Sequence, residues 1–573
     1  MTAGTLEPTK SQVVWPADPY KGLTYYERGD FPLFAGRNAD TQRVSRILAD
    51  GSTRILLLHG STGCGKSSFL RAALIPFLER GVERFSFARE AEQDVALFVR
   101  ATHDPLLELA TKAWELTNSN DPMLAGISKD SLPQDEEERK RIHPYAIGPV
   151  IDRGRYKSIS SFASAVAADP ERLVDTIGRI AYRRPRTQAL VVDQGEEILT
   201  LKPGRDGEDF RRQFFMFLSY LSRAEINFRL IIAFRTEYHG RLFALLKAAN
   251  VNASGVGDYF MSDLAGRDLI EAIERPTSLE EIPGWGIPRE HYRFYYQRGL
   301  PATIAQQLEK TPLSGGVLPV LQIVCRRLYQ KAKAGPQVDG YWVIRNEDLK
   351  DLSVARQVDL HLQKGLESAF DSVRNSMNFI ARQQESVCWR DVLSELAKPQ
   401  ADGTVTTDVK PTAKLAELAP LKGCKLPFEP VMEFLRKDEW KIVRPVDLTK
   451  PDGAKIPCYS LGHDVLGGVL ETWKAARKSD REQMRKSFLW VGLAVVGLSF
   501  TVNFWASLLV KLRIDSASLQ SSLQIIQYAG FAIGIVYILF ASLPEDSKAF
   551  ANLTRAAYST GSFFSAAKRL PRE

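Results

Sequence analysis

The segment from Arg54 to Ser67 constrains this chain more than any other. Gly60-Ser-Thr-Gly-Cys-Gly65-Lys66-Ser67 fits G-x-x-x-x-G-K-[ST], the spacing of a phosphate-binding loop. An apolar run, Ile55 to Leu58, predicts a buried strand that delivers a glycine-rich turn. Gly60, Gly63 and Gly65 let backbone N–H groups point inward around a phosphate. Lys66 is placed to reach the outer phosphates, and the Ser67 hydroxyl to ligate Mg²⁺. A helix is expected from Ser68, so its positive N-terminal end faces the anion. A chance glycine-rich turn would lack this strand–loop–helix context.

A second element completes the chemistry. Thr187-Gln-Ala-Leu-Val-Val-Asp193 reads as a strand ending in an acid, followed at once by Glu196 and Glu197. Asp193 is positioned to hold the magnesium shell, and a following glutamate to aim or deprotonate water. Of the two, Glu196 is taken as the catalytic acid, with Glu197 the alternative. Phe228 to Arg235 reads as another strand, ending in a base. In a parallel sheet the C-terminal strand ends converge on the ligand crevice, so Arg235 is expected to sense a γ-phosphate. A surface ion pair is its plainer reading. Strands alternating with helices predict an α/β fold with a parallel sheet.

Composition narrows the class. The chain has 573 residues, with 44% hydrophobic and 25% charged residues, as in ordinary globular proteins. A net charge of +8 is modest at this length and partly flanks an apolar segment, so it does not point to nucleic acid. Cys64, Cys325, Cys388, Cys424 and Cys458 are far apart, without metal-ligand spacing or a disulfide framework. Free thiols fit a reducing compartment. The first residues hold no apolar run, so no secretory signal is expected.

Two late segments are different. Phe488 to Val510 and Leu523 to Leu543 carry no charged residue, and each is long enough to span a hydrocarbon core of about 30 Å. Buried core helices rarely stay uncharged for so long. The loop between them holds Lys511 and Arg513, whereas basic residues crowd both outer flanks, among them Arg477, Arg485, Lys486, Lys548 and Arg555. The positive-inside rule then places both termini on the cytoplasmic side of a two-span hairpin. Gly530 and Gly534 form a G-x-x-x-G pair that lets backbones approach. Polar Asn503, Gln524 and Gln527 are costly facing lipid and are expected either to meet across helices or to line a wet cluster. The charged run from Asp135 to Arg141 reads as a solvated insertion. Trp440 to Val446 and Ile456 to Leu461 are expected to pair as a wing beside a helix from Glu429 to Lys437.

Together these pieces resemble the prokaryotic novel-STAND NTPases, a branch of the signal-transduction ATPases. The resemblance runs from about Pro19 to Arg477. Pro19-Tyr-Lys-Gly-Leu23 with Phe34-Ala-Gly36-Arg37 is similar to the family's N-terminal signature, which implies that Gly36 and Arg37 help bind the nucleotide. Gly60 to Ser67 and Val192 to Leu199 resemble its Walker A and Walker B segments. Phe234 to Tyr238 resembles its sensor strand. Gly315 to Gln322 resembles the proline motif of a helical lid, which implies that Pro319 packs near adenine. His463-Asp464 resembles the winged-helix His-Asp pair, which implies that His463 contacts bound ADP and holds a closed state. Gly195 stands where the family usually has an aromatic residue, a change expected to loosen the strand end. Relatives usually carry a sensor array and an effector; neither is expected here beyond the hairpin.

These readings predict an order: a tail (1–19), a P-loop NTPase core (20–261), a helical lid (262–375) and a winged-helix-like domain (376–473). A basic juxtamembrane helix (474–487), a transmembrane hairpin (488–543) and a basic cytoplasmic tail (544–573) follow. The resemblance implies a slow ATPase of the bacterial inner membrane, switched between ADP and ATP with Mg²⁺, acting in conflict or antiphage defence. Expected partners are a nucleotide, the lipid bilayer, further copies of the chain when activated, and a protein trigger. A remodelling ATPase acting on membrane proteins, or a membrane-tethered winged-helix transcription regulator, are the alternatives.

Overall fold

Three strands of this chain are apolar almost without interruption, and a sheet covered on both faces requires that. In the computed structural model they are β1 (Ile55–Gly60), β4 (Thr187–Asp193) and β5 (Phe228–Arg235). With β2 (Phe85–Phe87), β3 (Phe98–Arg100) and β6 (Val256–Phe260) they form a six-stranded sheet of order β2-β4-β5-β1-β6, with β3 also on β4. Every pairing in it is parallel. The structure describes residues 16–80, 85–87, 98–100, 105–118, 124, 126–128, 132–133, 138, 143–184, 186–200, 205–277, 291–310, 315–349, 354–374, 377–399, 405–437, 439–449, 455–511 and 517–542. Most of the Asp135–Arg141 run and the whole 544–573 tail lie outside these residues.

Alternation along the strands sorts side chains onto two cores. Ile55, Leu57, Leu190, Val192, Leu230, Ile232 and Phe234 face one layer, with Phe214, Leu218, Leu173 and Ile177 from the helices Arg205–Arg223 and Glu171–Arg183. Leu56, Leu58, Val191, Ile231 and Ala233 face the other, with Val44 and Leu48 of the helix Asn38–Ala49 and Phe69, Leu70 and Leu74 beyond the glycine-rich loop. Each such side chain, fully buried, contributes about 1.5–3 kcal/mol. Because all strands run the same way, Gly60, Asp193 and Arg235 arrive together at one edge of the sheet; Gly60 and Arg235 are direct partners in register.

The 262–349 region is mainly helical, with Gly266–Glu274, Leu300–Lys310 and Val317–Lys333, and it adds a parallel pair, β7 (Phe294–Tyr296) with β8 (Trp342–Ile344). The N-terminal segment is tied to it. The Tyr20 hydroxyl lies 2.6 Å from that of Tyr296, Asp18 pairs with Arg326 at 2.9 Å, and the Lys21 N–H donates to Gln322. Further on, β9 (Ala397–Pro399) pairs antiparallel with β10 (Val405–Thr407). β11 (Lys410–Pro411), β13 (Lys455–Leu461) and β12 (Val443–Thr449) form a three-stranded antiparallel sheet. The hairpin pairing starts at Val443 rather than Trp440, because Lys441 takes a φ of 44°, which ends extended backbone there.

The chain divides into two compact units, neither continuous in sequence. The first joins Met1–Gly365, Leu396–Leu415 and Met432–Gly468; the second joins Leu366–Glu395, Ala416–Val431 and Val469–Glu573. The 376–473 segment is thus shared between them. In the second unit, Trp389 is fully buried and stacks on Phe428 at 6.0 Å, and Glu385 accepts from the Trp389 indole and the Lys425 N–H. The helix Asp464–Lys511 runs without a break for 48 residues and is followed by Ala517–Ser542. The two apolar stretches pack through small residues: a Cβ at Gly534 would meet the Gly492 carbonyl at 3.0 Å, and one at Gly530 the Ser499 hydroxyl at 2.5 Å.

Candidate functional site: a phosphate loop under two flaps of chain

The loop after β1 turns through two glycines that need left-handed backbone, Gly63 at φ 79° and Gly65 at φ 94°. The helix begins at Lys66 and contains a π-turn over Phe69–Leu74. Lys66 Nζ folds back to donate to the carbonyls of Gly60 and Ser61, at 2.8 and 2.9 Å. The Ser67 hydroxyl donates to Asp193 Oδ2 at 2.8 Å, and Asp193 Oδ1 accepts from the Gln194 N–H. A hydroxyl and a carboxylate oxygen side by side are the hard donors that Mg²⁺ takes, and an ammonium with inward N–H groups suits phosphate. The residues therefore fit a magnesium–nucleotide.

The turn after β4 is held firmly. Gln194 sits at φ 58°, and the Gly195 N–H donates to the Ala233 carbonyl at 2.8 Å. A Cβ at Gly195 would meet Ile232 Cγ2 at 2.7 Å. The glycine pins the strand end against β5 here, where looseness was expected. Glu196 lines the cavity and Glu197 does not. Glu196 Oε1 pairs with Arg235 Nε at 3.2 Å, and Oε2 accepts from the Arg235 N–H. Burial raises its pKa above the ordinary carboxylate range, against the opposing pull of Arg235. With the Gln194 amide oriented to satisfy both neighbours, it donates to Glu197 and accepts from Arg444.

Two further segments close over the loop. Gly315 and Gly316 stand at φ 88° and 86°, and their backbone lies directly on the loop: a Cβ at Gly316 would meet the Thr62 carbonyl at 2.7 Å, and one at Gly63 the Gly315 carbonyl. Leu318, Pro319 and Gln322 follow into the cavity. From the other side come His463 and Asp464. Asp464, only 3% exposed, pairs with Arg235 Nη1 at 3.0 Å and accepts from the Thr407 N–H. His463 Cε1 lies 3.2 Å from where a Gly63 Cβ would stand. Its Nδ1 faces the Val465 N–H at 3.4 Å, which leaves Nε2 as the protonated nitrogen. Burial lowers the His463 pKa to about 4, and Arg235, Arg444 and Lys441 act in the same direction against Asp464. The ring is neutral at pH 7.

Lys66, Ser67, Ser68, Asp193, Glu196, Arg235, Pro319 and His463 all line one cavity, with Gly63 and Gly65. Gly36, Arg37 and Gly60 do not line it. Arg37 is 3% exposed and grips the loop from behind, donating to the carbonyls of Cys64 and Ser262 and pairing with Asp40. A Cβ at Gly36 would strike the Asp268 carbonyl at 2.4 Å, and one at Gly60 the Met261 carbonyl. Sequence reasoning missed Tyr25, Tyr26, Gln322, Thr407 and Arg444, which also line the cavity. The Tyr26 N–H donates to Ser68, and its hydroxyl to Gln322, so the N-terminal segment bridges the loop helix and the helix Val317–Lys333. A lone arginine on β12 carries no local signal that it lines a cavity built on a loop nearly four hundred residues earlier.

The family model for novel STAND NTPase 1 matches residues 19–485. No curated protein matches the sequence significantly. Solved structures with similarity include the Walker-type ATPase PABY2304 of Pyrococcus abyssi, at 14% identity and a TM-score of 0.32, covering 78% of this chain and 98% of that one. The ORC2 protein of Aeropyrum pernix, in ADPNP and ADP complexes, is 12% identical with a TM-score of 0.32, covering 77% and 95%. Drosophila ORC bound to DNA is 10% identical with a TM-score of 0.28, covering 82% and 95%. With a family match across most of its length and a phosphate loop in its parallel sheet, the chain belongs to the novel STAND NTPases, a P-loop NTPase family.

Proposed function

We propose that this protein is a signalling ATPase that is closed with ADP and opens with ATP, and that it is anchored in a membrane. The observation that carries the reading is the double ion pair of Arg235, to Glu196 and to Asp464, at the mouth of the phosphate loop. Lys66 turns from its two carbonyls to the β- and γ-phosphates. Mg²⁺, held by Ser67 and Asp193, neutralises phosphate charge when bound. Glu196, its carboxylate made more basic by burial, aims the attacking water. Pro319 packs near the adenine, and the neutral His463 donates from Nε2 to the ADP phosphates. A γ-phosphate competes with Asp464 for the Arg235 guanidinium. Losing that contact frees the segment at Asp464, which is also the first residue of the helix Asp464–Lys511. The winged-helix-like segment is the β11-β13-β12 sheet with its neighbouring helices.

The same helix carries the first apolar run. Among the described residues, Arg485–Val502 is long and apolar enough to cross a membrane, and Gln524–Leu539 is a shorter apolar helix. Only 11% of the first stretch is buried, and Trp490, Leu498, Phe500, Ile525, Tyr528 and Leu539 are largely exposed. Core helices would hide such side chains; lipid-facing helices display them. Opening is expected to gather copies of the chain and so cluster their hairpins in a bacterial inner membrane, with both termini cytoplasmic. The role in conflict or antiphage defence rests on the family resemblance.

The test uses full-length protein in nanodiscs. Lys66→Ala should weaken ADP and ATP binding by about a hundredfold or more, a loss of about 3 kcal/mol. Asp464→Asn should keep nucleotide binding and shift the protein to larger assemblies at lower ATP concentration, read by mass photometry. Wild-type affinity in Lys66→Ala sinks the nucleotide assignment. An assembly state that ignores both nucleotide and Asp464 sinks the switch.

A further inference from the structure

Beside the phosphate loop, but outside its cavity, two histidines and an aspartate converge. His59 is the residue of β1 just before Gly60, Asp258 lies on β6, and His239 opens the helix His239–Ala248 that follows β5. Parallel pairing of β1 with β5 and with β6 brings them together. Asp258 Oδ1 is 3.5 Å from His59 Nε2, and its Oδ2 is 3.3 Å from His239 Nε2. One ligand atom from each residue lies within 4.8 Å of the others. The two imidazole rings stand 4.4 Å apart, centre to centre. None of the three lines the nucleotide cavity.

We propose that His59, His239 and Asp258 form a binding site for a divalent transition-metal ion of the zinc class, which staples β1, β6 and the post-β5 helix together. Zinc takes imidazole nitrogen and carboxylate oxygen at about 2.0–2.2 Å, so neighbouring ligands in a tetrahedral site stand about 3.4 Å apart. The two measured separations, one to each carboxylate oxygen, are close to that edge, and with one donor atom per residue the three stand within 4.8 Å, so the ion would draw them slightly together. A second contact suits the orientation a metal needs in the buried ligand. His59 Nδ1 lies 3.2 Å from the Thr236 hydroxyl. Donation from Nδ1–H to that oxygen leaves the Nε2 lone pair facing His239 and Asp258, the outer-shell arrangement that metal-binding histidines adopt. Two nitrogens and one carboxylate are a poor set for Mg²⁺ or Ca²⁺, which prefer oxygen, and a good one for zinc. Asp258 is also half exposed, so the ion has an entry path and a fourth position for water.

The consequence is mechanical. Thr236 directly follows Arg235, and His59 directly precedes Gly60, whose carbonyl holds Lys66. The ion would therefore stiffen both strand ends that carry the phosphate-sensing cations. A histidine–aspartate ion pair without metal is the competing account of the same geometry.

The experiment takes tag-free full-length protein, stripped with a chelator and titrated with Zn²⁺ in excess Mg²⁺. One equivalent should bind saturably and raise the melting temperature. Co²⁺ in its place should give the visible d–d absorption of a four- or five-coordinate nitrogen–oxygen site. His239→Gln and the near-isosteric Asp258→Asn should each weaken Zn²⁺ binding about tenfold or more and remove the Co²⁺ band, with ADP binding retained as proof of folding. His143→Gln, far along the chain and exposed, should change neither. No saturable binding, or binding that survives both substitutions, overturns the site and leaves the ion-pair account standing.

Discussion

At the scale of single residues, burial sets the chemistry. Glu196 and Glu197 are adjacent, yet Glu196 lines the cavity and pairs with Arg235, whereas Glu197 does not line it. Glu196→Gln keeps the size and loses the base, so single-turnover hydrolysis should slow by about a hundredfold while ATP binding persists. Glu197→Gln should leave the hydrolysis step within a few-fold of wild type; the reverse pattern would move the role by one residue. His361 illustrates a different use of burial. Its Nε2 lies 2.9 Å from the Trp440 carbonyl, and burial lowers its pKa to about 4, with Arg326 and Arg327 adding to the effect. An unfolded histidine titrates near 6.5, so between these values the unfolded chain binds the extra proton. Stability is therefore fully present above about pH 6.5 and falls as the pH drops toward 4, by about 3 kcal/mol for this group. Denaturant melts across that range should show the decline, and His361→Gln, which keeps a donor, should make it shallower, with buried His463 supplying the remainder.

At the scale of elements, glycines decide how closely the flaps approach. Gly315 takes a φ that side chains rarely adopt, and a Cβ there would stand 2.6 Å from the Val465 backbone nitrogen. Gly315→Ala should cost about 1–3 kcal/mol at that junction and speed ADP release, measured with a fluorescent ADP analogue. His463→Ala, removing the contact from the other side, should speed release as well; a protein that only unfolds would assign the ring a purely packing role. The strands β1, β4 and β5 and the loop helix were legible because period, apolar runs and the lysine–serine pair are local signals. Gly195 was legible only as a departure. Its purpose, a tight approach to Ile232 and Ala233, depends on β5, which lies more than thirty residues away.

At the scale of the whole molecule, the question is what the apolar hairpin contributes. Gly530 and Gly534 are engaged within the chain, against Ser499 and Gly492. They hold the two helices together and are not exposed for pairing with another copy. Outward faces bearing Trp490, Phe500, Ile525 and Tyr528 are what a neighbouring hairpin or lipid would meet. Replacing residues 488–543 by an unrelated uncharged hairpin of equal length and topology should preserve membrane localisation and abolish membrane depolarisation on expression of Asp464→Asn. Depolarisation that persists unchanged would reduce the hairpin to an anchor.

Local physics was enough to read the strand, the glycine-rich turn, Lys66, Ser67 and Asp193 from the chain, because each depends on neighbours a few residues away. Long uncharged runs were equally plain, since hydropathy needs no partner. The closure over the loop was not. Arg444, Thr407 and Gln322 reach the cavity only through antiparallel pairing of β12 with β13 and through packing of the helix Val317–Lys333. Arg37, expected at the nucleotide, lies outside the cavity and clamps the loop through the Cys64 carbonyl, a placement set by how the helix Asn38–Ala49 packs against Leu56 and Leu58 of β1. His59 lies nearly two hundred residues before His239 and Asp258, and only the order of strands in the sheet makes them neighbours. Periodicity and motif spacing are properties of adjacent residues; convergence of distant side chains is a property of register, and register is settled when the two faces of the sheet are buried together.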